Sequence, residues 1–248
     1  MKSASFESAP HYHFASIDST NNYASKIAKL PETSNGTAIS ADFQSEGRGQ
    51  RGTTWESASQ QGYLVSIILY PKLQASEVFY FSKFIAVCLL HTLNQLGLEK
   101  VQIKWPNDIY INSKKLAGIL IENTWSDQEL QFGIAGIGLN IQTPSNTEFK
   151  STGLLDHLSV VPTLNEYVKA FQRTIQEYWH WIEQKMFNEI DQHYHRQLFQ
   201  LQLTCAFIAA NGESFEGRIQ RVESDGALII LDEQDKQRAF YLKEIKFA

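Results

Sequence analysis

Near residue 203 the spacing of apolar residues changes, and that break sets two folding problems for one chain. Short alternating segments follow it, at 204–210, 214–222, 226–232 and 237–243. A period of two is the pattern of strands with one buried face. Asn211-Gly212 and Asp225-Gly226 stand between segments, and such pairs supply the positive φ that tight turns need. This tract predicts a small β-barrel appended to a larger domain, with the boundaries 1–202 and 203–248.

The larger part reads as strands and helices of ordinary length. Residues 12–18 form a strand-like start. Asp18, Ser19 and Thr20 then offer N-cap oxygens to a helix that runs to about Leu30, where Pro31 stops it. Strands are expected at 37–43 and 63–70, and the second is apolar enough to be central. Residues 76–96 repeat their apolar positions near a period of 3.6, and Gly97 ends that helix. Strand-like pieces follow at 101–105, 108–111, 116–123 and 129–141, with Asn112-Ser113 as a turn. Tyr167, Phe171, Tyr178 and Trp179 mark a long amphipathic helix, and a second helix is expected over 187–201.

Charge and composition exclude several classes. Lys and Arg number 22 against 27 Asp and Glu, a net charge of −5. Binding to nucleic acid or an anionic membrane without specificity needs clustered positive charge, so neither is expected. The densest apolar run, Phe84 to Leu90, is far short of the roughly 20 residues that span a bilayer. Residues 1–14 contain no apolar core of a secretory signal. Too few residues precede Tyr12 for a helix-turn-helix, so no specific DNA binding is expected. Cys88 and Cys205 have no metal-ligand spacing and read as reduced core residues of a cytoplasmic protein. None of the seven histidines lies in a metal-ligand motif, and His193 and His195 read as a helix-surface pair.

Four segments carry chemistry. In Gln44-Ser45-Glu46-Gly47-Arg48-Gly49-Gln50-Arg51-Gly52-Thr53-Thr54-Trp55, the glycines match a dinucleotide fingerprint literally. No helix opens there, however, and no acidic residue follows at about 20 positions, so that reading is rejected. An anion cradle fits better: glycines let backbone N–H groups approach a phosphate, and Arg48 and Arg51 add forked donors. A solvated surface loop stays open at this point. Lys104-Trp105-Pro106-Asn107-Asp108 sets charged groups and an amide around a rigid step. In Lys114-Lys115-Leu116-Ala117-Gly118, the two small residues would let a ligand approach, whereas Lys114 reads as solvated. Gly136-Ile137-Gly138-Leu139-Asn140 is a glycine-interrupted strand ending in an amide that can read a base edge.

Together these segments resemble the catalytic domain of biotin protein ligases. The resemblance rests on Ser19-Thr20-Asn21, the loop from Gln44 to Trp55, the Lys104–Asp108 block, Lys115–Gly118 and Gly138-Leu139-Asn140, in the family's order. It implies an α+β fold: a mixed β-sheet flanked by helices, like that of class II aminoacyl-tRNA synthetases, with a small SH3-like C-terminal β-barrel. It implies ATP, Mg²⁺ and biotin as ligands, biotinyl-5′-AMP as intermediate, and the biotin carboxyl carrier domain of a carboxylase as protein partner. The enzyme would be a monomer or a homodimer.

The resemblance also implies residue roles. Ser19, Thr20, Asn21, Gln44, Gly47, Arg48, Gly49, Lys115 and Gly118 would bind biotin. Arg48, Gln50, Arg51, Gly52, Trp55, Lys104, Asn107, Lys115 and Asn140 would bind ATP. Lys115, Arg48, Arg51 and Asp108 would carry the catalysis, with Asp108 a possible Mg²⁺ contact. Many members carry Arg where this chain has Gln50, which bears on retention of the adenylate. The basic residue that some members extend from the C-terminal domain has no secure counterpart, though Lys246 is close. The alternatives are a lipoate or octanoate ligase or transferase on the same core fold, and a non-catalytic biotin sensor.

Overall fold

The computed structural model describes residues 6, 8–55, 60–145 and 150–248. Seven strands form one sheet: β1 (His11–Phe14), β2 (Ala38–Ala41), β3 (Gly62–Leu69), β4 (Val101–Lys104), β5 (Asp108–Ile111), β6 (Lys114–Ser126) and β7 (Glu129–Asn140). Their order is β1-β2-β3-β7-β6-β5-β4. Only β1 and β2 run parallel, so the sheet is mixed. Asn112 and Ser113, at φ 48° and 61°, make the turn between β5 and β6 that their residue types suggested. Trp105 and Pro106, joined by a cis peptide bond, lie between β4 and β5.

Both faces of this sheet are covered, and β3 is buried along its whole length. Val65, Ile67 and Leu69 point into a core shared with α2 (Val78–Gln95), α3 (Leu164–Glu183) and α4 (Phe187–Arg196). Ile68 points the other way, with Ile39, Phe132 and Ile134, against Ala24 of α1 (Thr20–Ile27) and Ala28, which caps that helix. Alternation along a strand requires this division. Helix α3 begins with a capping box, Thr163 with Glu166.

Residues 75–95 are long and apolar enough to cross a membrane by length and composition, beyond what the seven-residue run suggested. Here the segment is the central core helix, with buried residues from Phe81 to Leu93, including Lys83. Lys83 Nζ pairs with Asp191 Oδ1 at 2.6 Å and donates to the Val222 carbonyl at 2.7 Å. Burial pushes its pKa down, and Asp191 acts in the opposite direction.

The C-terminal tract forms a separate antiparallel sheet of five strands: β8 (Thr204–Ala209), β9 (Ser214–Val222), β10 (Leu228–Asp232), β11 (Gln237–Phe240) and β12 (Ile245–Phe247). Its order is β11-β10-β9-β8-β12. Phe207, Ile219, Leu228 and Ile230 belong to the same core as α2 and α3. Trp105 Nε1 donates to the Gly226 carbonyl at 3.0 Å, and Val222 N donates to His195 Nε2 at 2.8 Å.

Four expectations are corrected. The helix begun at 187 ends at Arg196, because residues 197–199 instead run beside β4 and satisfy its edge. Ile103 N donates to the Gln197 carbonyl, and Phe199 N donates to that of Ile103, each at 2.8 Å. The last expected strand stops at Phe240, and a turn leads to β12, which the alternation did not reveal. His195 is half-buried against the second sheet rather than on an open helix face. Cys88 is a free core thiol as expected, but Cys205 is only half-buried.

Candidate active site

A cleft of about 990 Å³ opens on the α1 side of the large sheet. Its floor is glycine. Gly118 on β6 and Gly138 on β7 are register partners, and the indole of Trp55 lies across both. A Cβ on Gly138 would sit 2.2 Å from Trp55 Cε2, and one on Gly118 would sit 2.8 Å from Trp55 Cζ3. Only a residue without a side chain fits beneath the ring. Trp55 Nε1 is buried with no partner among the described residues, which leaves a donor for a ligand to satisfy.

One end of the cleft is a hydrogen-bonded polar wall. Ser19 caps α1, its hydroxyl accepting from Asn22 N. Thr20 donates through N and Oγ1 to Gln44 Oε1, at 2.7 and 2.9 Å. Ser66 Oγ, buried on β3, bonds Thr20 Oγ1 at 2.7 Å and Asn21 Oδ1 at 2.6 Å. Asn21 rests on Gly136, where a Cβ would meet its Oδ1 at 2.4 Å. The N-terminal turn of α1 thereby fixes one end of the loop that holds Gln44.

An ion pair stands at the other end. Lys115 Nζ pairs with Asp108 Oδ1 at 2.7 Å and stands 5.5 Å from the centre of the Trp55 ring. Both members of the pair are about one-fifth exposed. Arg48 instead lies beside the polar wall, tied by Nη2 to Asn22 Oδ1 at 2.7 Å and Glu122 Oε2 at 3.0 Å. The loop between closes on itself: Gly49 N donates to the Thr53 carbonyl, and Trp55 N to that of Gly47. A Cβ on Gly47 would lie 2.4 Å from the Trp55 carbonyl oxygen.

Ser19, Thr20, Asn21, Gln44, Gly47, Arg48, Gly49, Gln50, Trp55, Asn107, Asp108, Lys115, Gly118 and Asn140 all line this one cleft. Gly52 does not line it; it closes a short turn at φ 82°. The side chain of Arg51 lies outside the described residues. Lys104 does not line the cleft either. Its Nζ donates to Tyr110 Oη at 3.1 Å and stands over the rings of Tyr110 and Phe247, and burial lowers its pKa. Asn107 faces the cleft, but its Nδ2 donates to the Ile119 carbonyl. Asn140 likewise commits Nδ2 to the Thr152 carbonyl at 3.1 Å.

The segment after Asn140 adds a wall through Pro144, Ser145 and Ser151. Asp156 staples that wall. Its Oδ2 accepts from Thr143 Oγ1 above all, then Gly153 N and Thr152 Oγ1, which hold its pKa down to about 2. The residue reading missed Leu242 and Lys243, which reach the cleft from the turn before β12, and also Ser66 and Glu122. Alternation along β6 could have found Glu122, since Gly118, Leu120 and Glu122 share a face. No local pattern could have found Lys243, because docking of the second sheet places it.

Residues 13–140 match the model of the biotin/lipoate A/B protein ligase family. The bifunctional ligase/repressor BirA of Escherichia coli is 34% identical over 125 residues, which cover 50% of this chain and 38% of that protein. The biotin–[acetyl-CoA-carboxylase] ligase of Paracoccus denitrificans is 36% identical over 132 residues, covering 51% of this chain and 52% of that one. The chain thus spans about half the length, or less, of these relatives. Among solved structures, biotin protein ligase from Aquifex aeolicus in complex with biotin and ATP superposes with a TM-score of 0.74. The superposition covers 96% of this chain and 99% of that one, at 22% identity, and establishes a common fold.

Proposed function

The chain belongs to the biotin/lipoate A/B protein ligase family, and from that premise we propose that it activates biotin with ATP and transfers it to a lysine of a carrier domain. The observation that carries this reading is one glycine-floored cleft lined by both Arg48 and Lys115, with Lys115 at one end and a polar wall at the other. Similarity to ligases that act on biotin and on acetyl-CoA carboxylase supports it.

The chemistry joins two anions. The biotin carboxylate attacks the α-phosphate of ATP, the bond to pyrophosphate breaks, and biotinyl-5′-AMP forms. Lys115 and Arg48 offset the repulsion and stabilise charge that grows on the phosphoryl oxygens. Thr20, Gln44 and Ser19 bind the ureido ring, the apolar body of biotin lies on the strands near Gly118, and Trp55 stacks near the adenine. Positioning both substrates in one cleft supplies much of the acceleration. The ε-amine of the acceptor lysine then attacks the mixed anhydride, AMP leaves, and an amide remains.

Asp108 is the one carboxylate among the described lining residues, and Lys115 already neutralises it. No group of three or more metal-binding side chains occurs among the described residues. A Mg²⁺ brought in on ATP would therefore take most of its ligands from phosphate and water, with Asp108 the side chain placed to add one. The same reading extends to a class II synthetase-like core over 1–202, an SH3-like closure of the sheet over 203–248, and a cytoplasmic monomer or homodimer. The two free cysteines fit a reducing compartment.

Lipoate is the competing acyl substrate, since the family spans both. The hydrogen-bonding wall favours a ring with an N–H and a carbonyl over a dithiolane. The test is mass spectrometry of an apo biotin carboxyl carrier domain with this protein, biotin, ATP and Mg²⁺, beside tubes lacking ATP or holding lipoate. One ATP-dependent biotin adduct on a single lysine is expected. No adduct and no pyrophosphate, with a control ligase active on the same carrier, would overturn the reading.

A further inference from the structure

Lys115 lies where the sheet runs out of partners on one side. β7 accompanies β6 only as far as Ala117, which is opposite Leu139. Past Asn140 the chain turns away, and Ile141 N donates to the Gln61 carbonyl. A strap at 150–153 takes the vacated place, with Ser151 as the parallel partner of Lys115. Lys115 N donates to the Lys150 carbonyl at 2.8 Å, and Thr152 N donates to the Lys115 carbonyl at 2.9 Å. The peptide groups on both sides of the Lys115 Cα are therefore fixed by the strap, and with them the direction in which the side chain leaves the strand.

The strap is too short to hold itself, and its anchors are all near the end of β7. Asn140 Nδ2 donates to the Thr152 carbonyl at 3.1 Å. Gly153 passes so close to the departing chain that a Cβ there would lie 2.5 Å from the Ile141 carbonyl oxygen. The third anchor is one oxygen of Asp156, which accepts from Thr152 Oγ1 at 2.8 Å, from Gly153 N at 3.0 Å and from Thr143 Oγ1. Thr143 belongs to the chain leaving β7, and Thr152 and Gly153 belong to the strap. A single carboxylate oxygen thus joins the two segments.

We propose that Asp156 is a positioning residue: by stapling the strap to Thr143, it holds the main chain of Lys115 so that the ammonium stands at the reacting end of the cleft. The inference rests on the adenylation reading above. Asp108 restrains the tip of the lysine, at 2.7 Å from Nζ, but a flexible four-carbon stem is placed only as well as the backbone that carries it. Small displacements matter at a reacting centre, where about 1 Å can cost on the order of a hundredfold in rate. Asp156 is exposed, so water screens its charge and its contribution to stability is small. What it supplies is geometry: three donors from two segments meet at one point.

The experiment is biotin-dependent ATP–pyrophosphate exchange in a double-mutant cycle. Asp156→Ala should lower kcat about tenfold and leave the KM for biotin within about twofold, because the polar wall stands at the opposite end of the cleft. Asp156→Asn keeps an oxygen that can accept from the same donors, and should restore about half or more of the wild-type rate. In a Lys115→Ala background, Asp156→Ala should change the rate by less than about twofold. An equal loss in both backgrounds would assign Asp156 a role independent of Lys115 and overturn the inference. So would an unchanged rate in the first background, or an Asn variant as slow as the Ala variant. A wild-type protein without biotin-dependent exchange would instead overturn the adenylation reading, and this inference with it.

Discussion

Lys115 is held by Asp108 at 2.7 Å before any anion arrives, and the face of Trp55 lies beneath its ammonium. An incoming carboxylate or phosphate meets a cation already in place. Its replacement should therefore cost chemistry rather than folding. Lys115→Ala is expected to slow adenylation by about two orders of magnitude, the usual loss for one charge-assisted contact at a reacting centre. Pyrophosphate release measures that loss, and an unchanged melting temperature shows that the fold remains. An unchanged rate would remove Lys115 from the mechanism. The residues that sequence made legible are those whose type states their chemistry: two arginines among glycines, a lysine before Ala117-Gly118, and an amide ending a glycine-broken strand. Residue type misled at Lys104, whose charge sits over the rings of Tyr110 and Phe247 outside the cleft.

At the scale of elements, periodicity recovered the central strands and the three long helical stretches because their side chains face one large core. It failed where a neighbour sets the conformation. Gln197–Phe199 would extend α4 by composition, yet they form two backbone hydrogen bonds with Ile103 at the open edge of β4 instead. β12 has three residues, too few to carry a period, and exists because β8 offers it an edge. Helix α2 hides another feature that pattern reading passes over. Lys83 is fully buried in it and paired with Asp191 of α4. Removing the partner strands a charge in the core, which typically costs about 3–5 kcal/mol. Asp191→Ala should lower denaturant stability by that order, whereas Lys83→Met, which removes the charge as well, should cost much less. Equal losses would show that the Lys83 charge is not stranded by loss of Asp191.

At the scale of the molecule, the two sheets share one core, so they should unfold in a single transition. His195 makes that union sensitive to acid. Its Nδ1–H donates to the Asp191 carbonyl, which leaves Nε2 free of a proton to accept from Val222 N. Burial above all, and the nearby Lys83 charge, hold its pKa below the ordinary 6.5. A proton on Nε2 would set N–H against N–H. The stability this ring contributes is full above about pH 6.5 and is lost as pH falls through its lower folded-state value. Melting temperature should fall between pH 7.5 and 5. His195→Gln should flatten part of that slope, while His11, His91 and His193, also depressed, retain the remainder. An identical slope in the variant would remove His195 as the source.

The turn that brings Leu242 and Lys243 to the cleft is held between β11 and β12, while the opposite wall begins at Ser19. The cleft is thus assembled from segments more than 200 residues apart. During synthesis, a ribosome-tethered chain carries the glycine floor and the arginine loop long before the last wall is made. A ligand meets the finished cleft only after β12 has been made and has paired with β8.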